Sequence, residues 1–418
     1  MREMKDSGIE WIGQIPKGWE LRRAKTLFTQ RNSKGNEIEV LLSPTQKYGV
    51  VPQSQLEGVV QVKEDTDLQM FKTVHKGDFV ISLRSFQGGF EYSLYEGVCS
   101  PAYQVFYPTS PICDTYYRYL FKSQSFISKM NNLTVGIREG KNIQYVDFAN
   151  SQIPVPPLAE QERIAAFLDA ECAEIDAVLE KTRASIEEYK KLKQAVITQA
   201  VTKGIRGDRP MKNSGIEWIG EIPAEWDVVR IKNLFDYRNE RNFKPLEEVN
   251  LISLYTDKGV VQHCDLDETT GNKASNADGY KLVYENDIVV NIILCWMGAI
   301  GRSAYFGVTS PAYDVYSPKQ KTNSKFYHYL FRTNGFSGDC YKVGRGIMAM
   351  RWRTYSDQFR AIKVVSPPQS EQEEIVEYLD EKCEGIDDLI AKKQQYLTEI
   401  ENYKKSLIYE YVTGKREV

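Results

Sequence analysis

The sequence predicts an α+β fold: two similar α+β domains separated by two long helices that form an antiparallel coiled coil, with the halves related by an internal pseudo-twofold repeat. Three observations carry this expectation. SGIEWIGQIPKGWE at 7–20 recurs as SGIEWIGEIPAEWD at 214–227, with ten of fourteen residues identical. Each copy leads to a Pro-Pro pair, at 156–157 and 367–368, followed by an apolar stripe at heptad spacing. Along each stripe the charge runs from acidic to basic.

The repeat extends end to end, as an internal period of this size must if it defines the architecture. LLSPTQKYGVV at 41–51 answers LISLYTDKGVV at 251–261, SPAY occurs at 100 and 310, and YRYLF at 117 matches YHYLF at 327. PPLAEQERIAAFLD from 156 pairs with PPQSEQEEIVEYLD from 367, and VTKG at 201 with VTGK at 412. The boundaries follow: a first domain over 1–157, a central helical region over 158–205, a second domain over 206–366 and a C-terminal helical region over 367–418.

Within each domain, short β-branched and aromatic runs such as FVISL and YQVFY, punctuated by Gly, Pro and Asn, predict strands. YYRYLFKSQSFISKM predicts one helix. In the helical regions, Leu168, Cys172, Ile175, Leu179, Thr182, Ile186, Tyr189, Lys193, Val196 and Ala200 follow alternating spacings of three and four. Leu379, Cys383, Ile386, Ile390, Lys393, Leu397, Ile400, Lys404, Leu407 and Tyr411 repeat the pattern. Proline suits the position before each helix, and Ser370 with Glu373 predicts a capping box for the second. Residues 160–180 hold seven acids and one base, and 181–203 hold six bases and two acids; 371–388 hold nine acids and one base, and 389–416 hold six bases and three acids. Parallel pairing would face acid with acid, so the gradient favours an antiparallel pair, although each gradient also complements its own helix dipole.

Composition bounds the function. The chain has 418 residues, 42% hydrophobic and 27% charged, as in a soluble globular protein of two domains. Its longest apolar run, VVNIILCWMGAIG at 289–301, is too short to cross a bilayer, and MREMKDSG has no apolar stretch behind it to act as a secretory signal. A cytoplasmic location is the expectation. Seven cysteines without CxxC spacing, and only three histidines, argue against a disulfide framework or a metal site. The net charge of -3 is concentrated in the helical regions: Lys plus Arg against Asp plus Glu is 18 to 16 over 1–157 and 22 to 19 over 206–366, but 7 to 9 and 7 to 13 in the helical segments. Both domains are therefore mildly basic, as contact with nucleic acid requires.

The two copies keep their framework and change their loops. Gly49, Val50 and Val51 equal Gly259, Val260 and Val261, whereas Thr45, Gln46, Lys47 and Tyr48 become Tyr255, Thr256, Asp257 and Lys258. DFVISLRSFQGGF at 78–90 becomes DIVVNIILCWMGAIG at 287–301, keeping the acid and the strand. One scaffold presents two sets of groups at the ends of an antiparallel rod, an arrangement suited to touching duplex DNA at two places.

In SGIEWIGxIPxxW, in the duplicated PPxxEQ helix and in the closing VTKG and VTGK, the whole chain resembles the specificity subunits of type I restriction-modification enzymes. The resemblance implies that each domain is a target-recognition domain reading one half of a split, asymmetric DNA site. It also implies that the helices set the spacing and carry two methyltransferase subunits, whether or not restriction subunits join the assembly. S-adenosylmethionine would belong to the methyltransferase partner, with no cofactor or metal bound by this chain.

Motifs for catalysis are weak. SPPQ at 366–369 has Gln where an amino-methyltransferase motif needs an aromatic ring, and capping explains it better. GRGIMA at 344–349 lacks a βαβ context, and GIREGK at 136–141 falls short of a P-loop. The expectation is a non-catalytic subunit; the rivals are a protein-binding scaffold and a self-contained restriction enzyme. For base and phosphate contact the residue types required point to Thr45, Gln46, Lys47, Arg84, Gln87, Arg138, Lys141 and Asn142 in the first domain. In the second they point to Thr256, Lys258, Asn291, Arg345, Arg351 and Arg353. Trp11, Trp19, Trp218 and Trp226, shared by both copies, are assigned to packing, as are Tyr103, Tyr313 and Trp352.

Overall fold

The computed structural model describes residues 2–35, 40–56, 68–82, 89–133, 143–263, 276–346 and 352–418. Helices α1 (Asp114–Lys122), α2 (Gln124–Leu133), α3 (Tyr145–Asn150) and α4 (Leu158–Lys203) belong to the first repeat. Helices α5 (Ile231–Leu234), α6 (Ser324–Phe331), α7 (Asn334–Val343), α8 (Ser356–Ala361) and α9 (Gln369–Val412) belong to the second. The chain forms two compact units, one of Met1–Arg183 with Gln395–Val418, the other of Ala184–Gln394.

In the first unit a four-stranded antiparallel sheet has the order Phe28–Arg31, Gln104–Pro108, Phe79–Ile81, Phe90–Tyr92. Strand alternation gives it two faces. Phe79, Ile81 and Phe106 enter a core with Trp19, Phe28, Tyr117, Phe121, Phe126 and Phe148, whereas Val80 and Val105 meet Leu42, Val50, Val74 and Cys99 on the other side. The second unit repeats this with Phe235–Arg238, Tyr313–Pro318, Ile288–Asn291 and Ile300–Arg302. The acid kept in both copies holds the sheet: Asp78 and Asp287 each receive two hydrogen bonds from Arg31 and Arg238 of the outer strand.

The stretch expected as one helix is two, α1 and α2. Ser123 takes an extended backbone at the end of α1, its hydroxyl donating 2.7 Å to the Leu120 carbonyl. The Ser370–Glu373 capping box is also corrected. The helix α9 already starts at Gln369, with the Pro368 carbonyl accepting from the amides of Glu371 and Gln372, which leaves Ser370 inside the first turn. Proline suits this place because its missing N–H needs no partner there.

The long helices span 46 and 44 residues and pair antiparallel within each unit. In the first unit Asp176 binds Lys404 and Arg183 binds Glu401; in the second Lys193 binds Asp387. Positions rise along α4 as they fall along α9. Of the seam residues, Leu168, Ile175, Leu179, Ile186, Leu379 and Ile386 are buried, and Ile390 and Leu397 half-buried. Leu168 and Leu379 enter the domain cores as well.

The shared motifs build the joints between domain and helix. Trp19 Nε1 donates 3.0 Å to Glu160 of PPLAEQ, and Trp226 Nε1 donates 2.9 Å to Glu371 of PPQSEQ. Arg2 and Arg209 pair with the same two carboxylates and lie over the same two indoles. The next residue ties the helix start down: Gln161 donates to the Pro156 carbonyl and accepts from the Cys113 amide, and Gln372 does the same with Pro367 and Asn323. At the other end, Lys203 donates to the carbonyls of Ile219 and Glu221, and Lys415 to that of Ile12. The VTKG and VTGK glycines, Gly204 and Gly414, have φ of +75° and +71°, and a Cβ on Gly414 would lie 2.5 Å from Pro16. Both occupy the left-handed position that ends helices. All three motif classes are thus structural.

Candidate nucleic-acid interface

In each unit the loops that differ between repeats hang from a hairpin beside the sheet edge. In the first, Leu42–Thr45 pairs with Gly49–Pro52 and presents Gln46, Lys47 and Tyr48, all exposed. Thr45 is consumed by the turn, its hydroxyl donating 2.9 Å to the Gly49 carbonyl and accepting 3.0 Å from the Tyr48 amide. Lys47 lies over the Tyr48 ring at 4.8 Å. Gly49 needs its φ of +73°, since a Cβ there would stand 2.7 Å from the Tyr92 carbonyl. In the second, Ile252–Tyr255 pairs with Gly259–Gln262 and presents Thr256, Asp257 and Lys258, also exposed.

A cation at the same aligned position pins each turn. Arg332, closing α6, donates to the carbonyls of Thr256 (2.9 Å), Asp257 (2.8 Å) and Ile300 (3.1 Å). Lys122, closing α1, reaches the Gln46 carbonyl at 3.4 Å and the Glu91 carboxylate at 2.5 Å. Neither was anticipated from the sequence; the signal was the basic residue that follows YRYLF and YHYLF in both copies.

Glu91 occupies the place that Gly301 takes in the second repeat, and it is buried. Burial pushes its carboxyl up from 4.5 to about 7, against the opposing pull of Lys122. The folded chain therefore holds this proton more tightly than the unfolded chain does. Stability is full below about pH 4.5, declines as pH rises through 7 and is lost above it, by at most about 3 kcal/mol. Glu91→Gln should flatten that decline, and urea unfolding curves between pH 5 and 8 would show it; a variant that still loses stability over this range would assign the effect to another group.

The remaining residues separate by position. Asn291 is buried, its carboxamide oxygen accepting from the amides of Ile293 and Leu294, so it shapes the following loop instead of presenting donors outward. Arg345 and Arg353 face each other across an antiparallel bridge, with backbone hydrogen bonds of 2.8 and 2.9 Å, and both side chains are exposed. Two like charges directly opposite repel, so this pairing favours an anion between or beside them. Next to it, Trp352 stacks on Tyr341 at 5.0 Å and is half-buried, an outer platform and not a core ring. Tyr103 and Tyr313 pack against the smaller clusters. Trp19 and Trp226 are fully buried, and Trp11 and Trp218 are half-buried against Phe126 and Gly335. Arg84, Gln87, Arg138, Lys141, Asn142 and Arg351 lie outside the described residues, as do GIREGK and the second half of GRGIMA.

A second missed group lies on the sheet. Gln30 donates to Gln104 (2.6 Å), which donates to Gln144 (3.2 Å), a partly exposed row of carboxamides. At the aligned positions the second repeat has Tyr237 and Asp314, joined by Lys281. Comparing the copies strand by strand, and not only loop by loop, would have found them.

The family model for the type I restriction modification DNA specificity domain matches twice, over residues 16–188 and 223–401. The chain belongs to this family of specificity subunits. The relative named putative type I restriction enzyme MjaX specificity subunit, from Methanocaldococcus jannaschii, is 26% identical over 442 aligned residues, covering 97% of this chain and 96% of that one. The MjaVIII specificity subunit of the same organism is 27% identical over 300 residues, 67% of this chain and 66% of its own. A chain from a study of complex assembly and conformational transition in a type I R-M system superposes with a TM-score of 0.69 at 15% identity, covering 96% and 99% of the two. The HsdS subunit from Thermoanaerobacter tengcongensis gives 0.51, also at 15%, over 96% and 98%. This specificity subunit thus carries two recognition domains on one duplicated scaffold. Among its described residues, no helix is long and apolar enough to cross a membrane.

Proposed function

We propose that this subunit reads a bipartite, asymmetric DNA site, one half through each recognition domain, and assembles methyltransferase subunits on its helices. The observation that carries the reading is a pair of equivalent hairpins, pinned by equivalent cations, that present different groups: Gln46, Lys47 and Tyr48 in one, Thr256, Asp257 and Lys258 in the other. Identical frames with different reading groups fit two different half-sites. The exposed Arg345 and Arg353 and the Tyr341–Trp352 stack fit phosphate and base contact.

On α4 and α9, Leu192, Leu389, Tyr396 and Tyr403 are exposed, apolar area that suits partner subunits. S-adenosylmethionine chemistry belongs to those partners, the chain itself being non-catalytic, and the assembly works in the cytoplasm. Expressed with its methyltransferase, the protein directs adenine methylation to a two-part motif with a fixed gap. Sequencing of modified bases tests this, and a single continuous motif would overturn it.

A further inference from the structure

Within the second unit, a cleft of about 540 Å³ opens where the hairpin turn meets the helices, lined by Asp257 and Lys258 of the turn, His328, Tyr329 and Arg332 of α6 and its end, and Lys190, Lys193, Ile197, Asp387 and Ile390 among the helical residues. Four cations face two acids. Lys193 closes on Asp387 with two hydrogen bonds of 2.6 and 2.7 Å, and Asp257 offsets part of the Arg332 charge. Lys258 is exposed and has no carboxylate partner among the described residues. Lys190 has only Glu187 on its own helix, an exposed pair of the kind that contributes little.

His328 adds a directed donor. Its Nδ1 accepts from the Arg302 amide at 3.1 Å, which places the remaining ring proton on Nε2. Burial, with Arg332, Arg302 and Lys325 nearby, pushes its value down to about 3, so the ring stays neutral. In the first repeat Arg118, held by Asp169, stands at the position of His328, and Lys47 at that of Asp257. The positions aligned with Lys258 and Lys190 are Tyr48 and Glu401, and Glu401 is held by Arg183.

We propose that this cleft seats a backbone phosphate of duplex DNA beside the second half-site, with Lys190 and Lys258 supplying the charge and His328 a neutral hydrogen-bond donor. The proposal rests on the DNA-reading function above and adds an anchor present on one side only. It identifies Lys190 as a helix residue that touches DNA, and it gives the two half-sites unequal dependence on salt.

The test titrates the full chain, with its methyltransferase subunits, against a duplex carrying the recovered motif at several salt concentrations, comparing wild type with Lys190→Ala/Lys258→Ala. Both lysines are exposed, so an unchanged melting curve verifies the variant's fold. The expected result is a slope of log K against log salt that is shallower by about one to two, with roughly ten-fold weaker binding at fixed salt. Lys190→Arg/Lys258→Arg should restore the slope. An unchanged slope in the alanine variant overturns the proposal. So does binding of inorganic phosphate that the alanine variant loses while its duplex slope stays the same, since the cleft would then serve a free anion. A wild-type complex that binds no duplex overturns the DNA-reading function itself, and the proposal falls with it.

Discussion

Arg332→Ala should erase selectivity for one half of the methylated motif and leave the other half intact. The guanidinium holds three carbonyls, at Thr256, Asp257 and Ile300, and thereby fixes the turn that displays Thr256 and Lys258. Hydrogen bonds from a charged donor contribute roughly 1.5–3 kcal/mol each, and water replaces part of what alanine removes. A net loss near 3 kcal/mol in holding the turn corresponds to about a hundred-fold loss of discrimination at that half. Modified-base sequencing of the variant would show a degenerate second half beside a sharp first half. Equal relaxation of both halves would mean that Arg332 acts on assembly and not on one hairpin. Lys122→Ala is the mirror experiment with a smaller effect, because the bond from Lys122 to the Gln46 carbonyl is long and its charge is spent on Glu91.

The largest loss of stability is expected from Glu371→Ala. Glu371 is buried, accepts from the Trp226 indole and pairs at 2.6 Å with Arg209, whose side chain is only 10% exposed. Removing the carboxylate leaves the Trp226 indole without its acceptor and Arg209 with only the partly exposed Glu225 and the Lys203 carbonyl, which costs about 3 kcal/mol. For a unit of this size that is a fall in melting temperature on the order of 10 °C. Glu371→Gln keeps an acceptor for Trp226 and should lose less. Calorimetry combined with limited proteolysis would place the lost stability in the unit of Ala184–Gln394; a variant that melts with the wild type would show that Arg209 finds water instead.

The architecture was legible because duplication writes the same constraint twice. Long helices announce themselves by periodicity, and the antiparallel sense followed from the charge that Asp176, Lys193, Asp387 and Lys404 carry along them. Cap details were not legible. Ser370 looks like a cap in sequence, but the Pro368 carbonyl holds the first turn, and Gln372, tied to the Asn323 amide, fixes the chain entry by donating to the Pro367 carbonyl. The split between α1 and α2 at Ser123 depends on a hydroxyl turning back onto Leu120, which no periodicity encodes.

The candidate interface was legible only as residue types. Thr45 and Asn291 have the chemistry of readers, yet their side chains are occupied by neighbouring backbone. Arg332 and Lys122 govern the hairpins from about 75 residues away, at a distance in sequence that local patterning does not reach.

Lys203 and Lys415 carry a consequence for how such a chain arises. Each helix begins in one repeat and ends on the opening loop of the other, at Ile219 and at Ile12. A single repeat would therefore have a helix end with no loop to close and a loop with no helix end to close it. Two copies of such an ancestor satisfy each other's deficit by reciprocal exchange, which makes an obligate homodimer the natural precursor and gene fusion a step that alters no contact. Once fused, each half is free to acquire a different set of exposed loop groups.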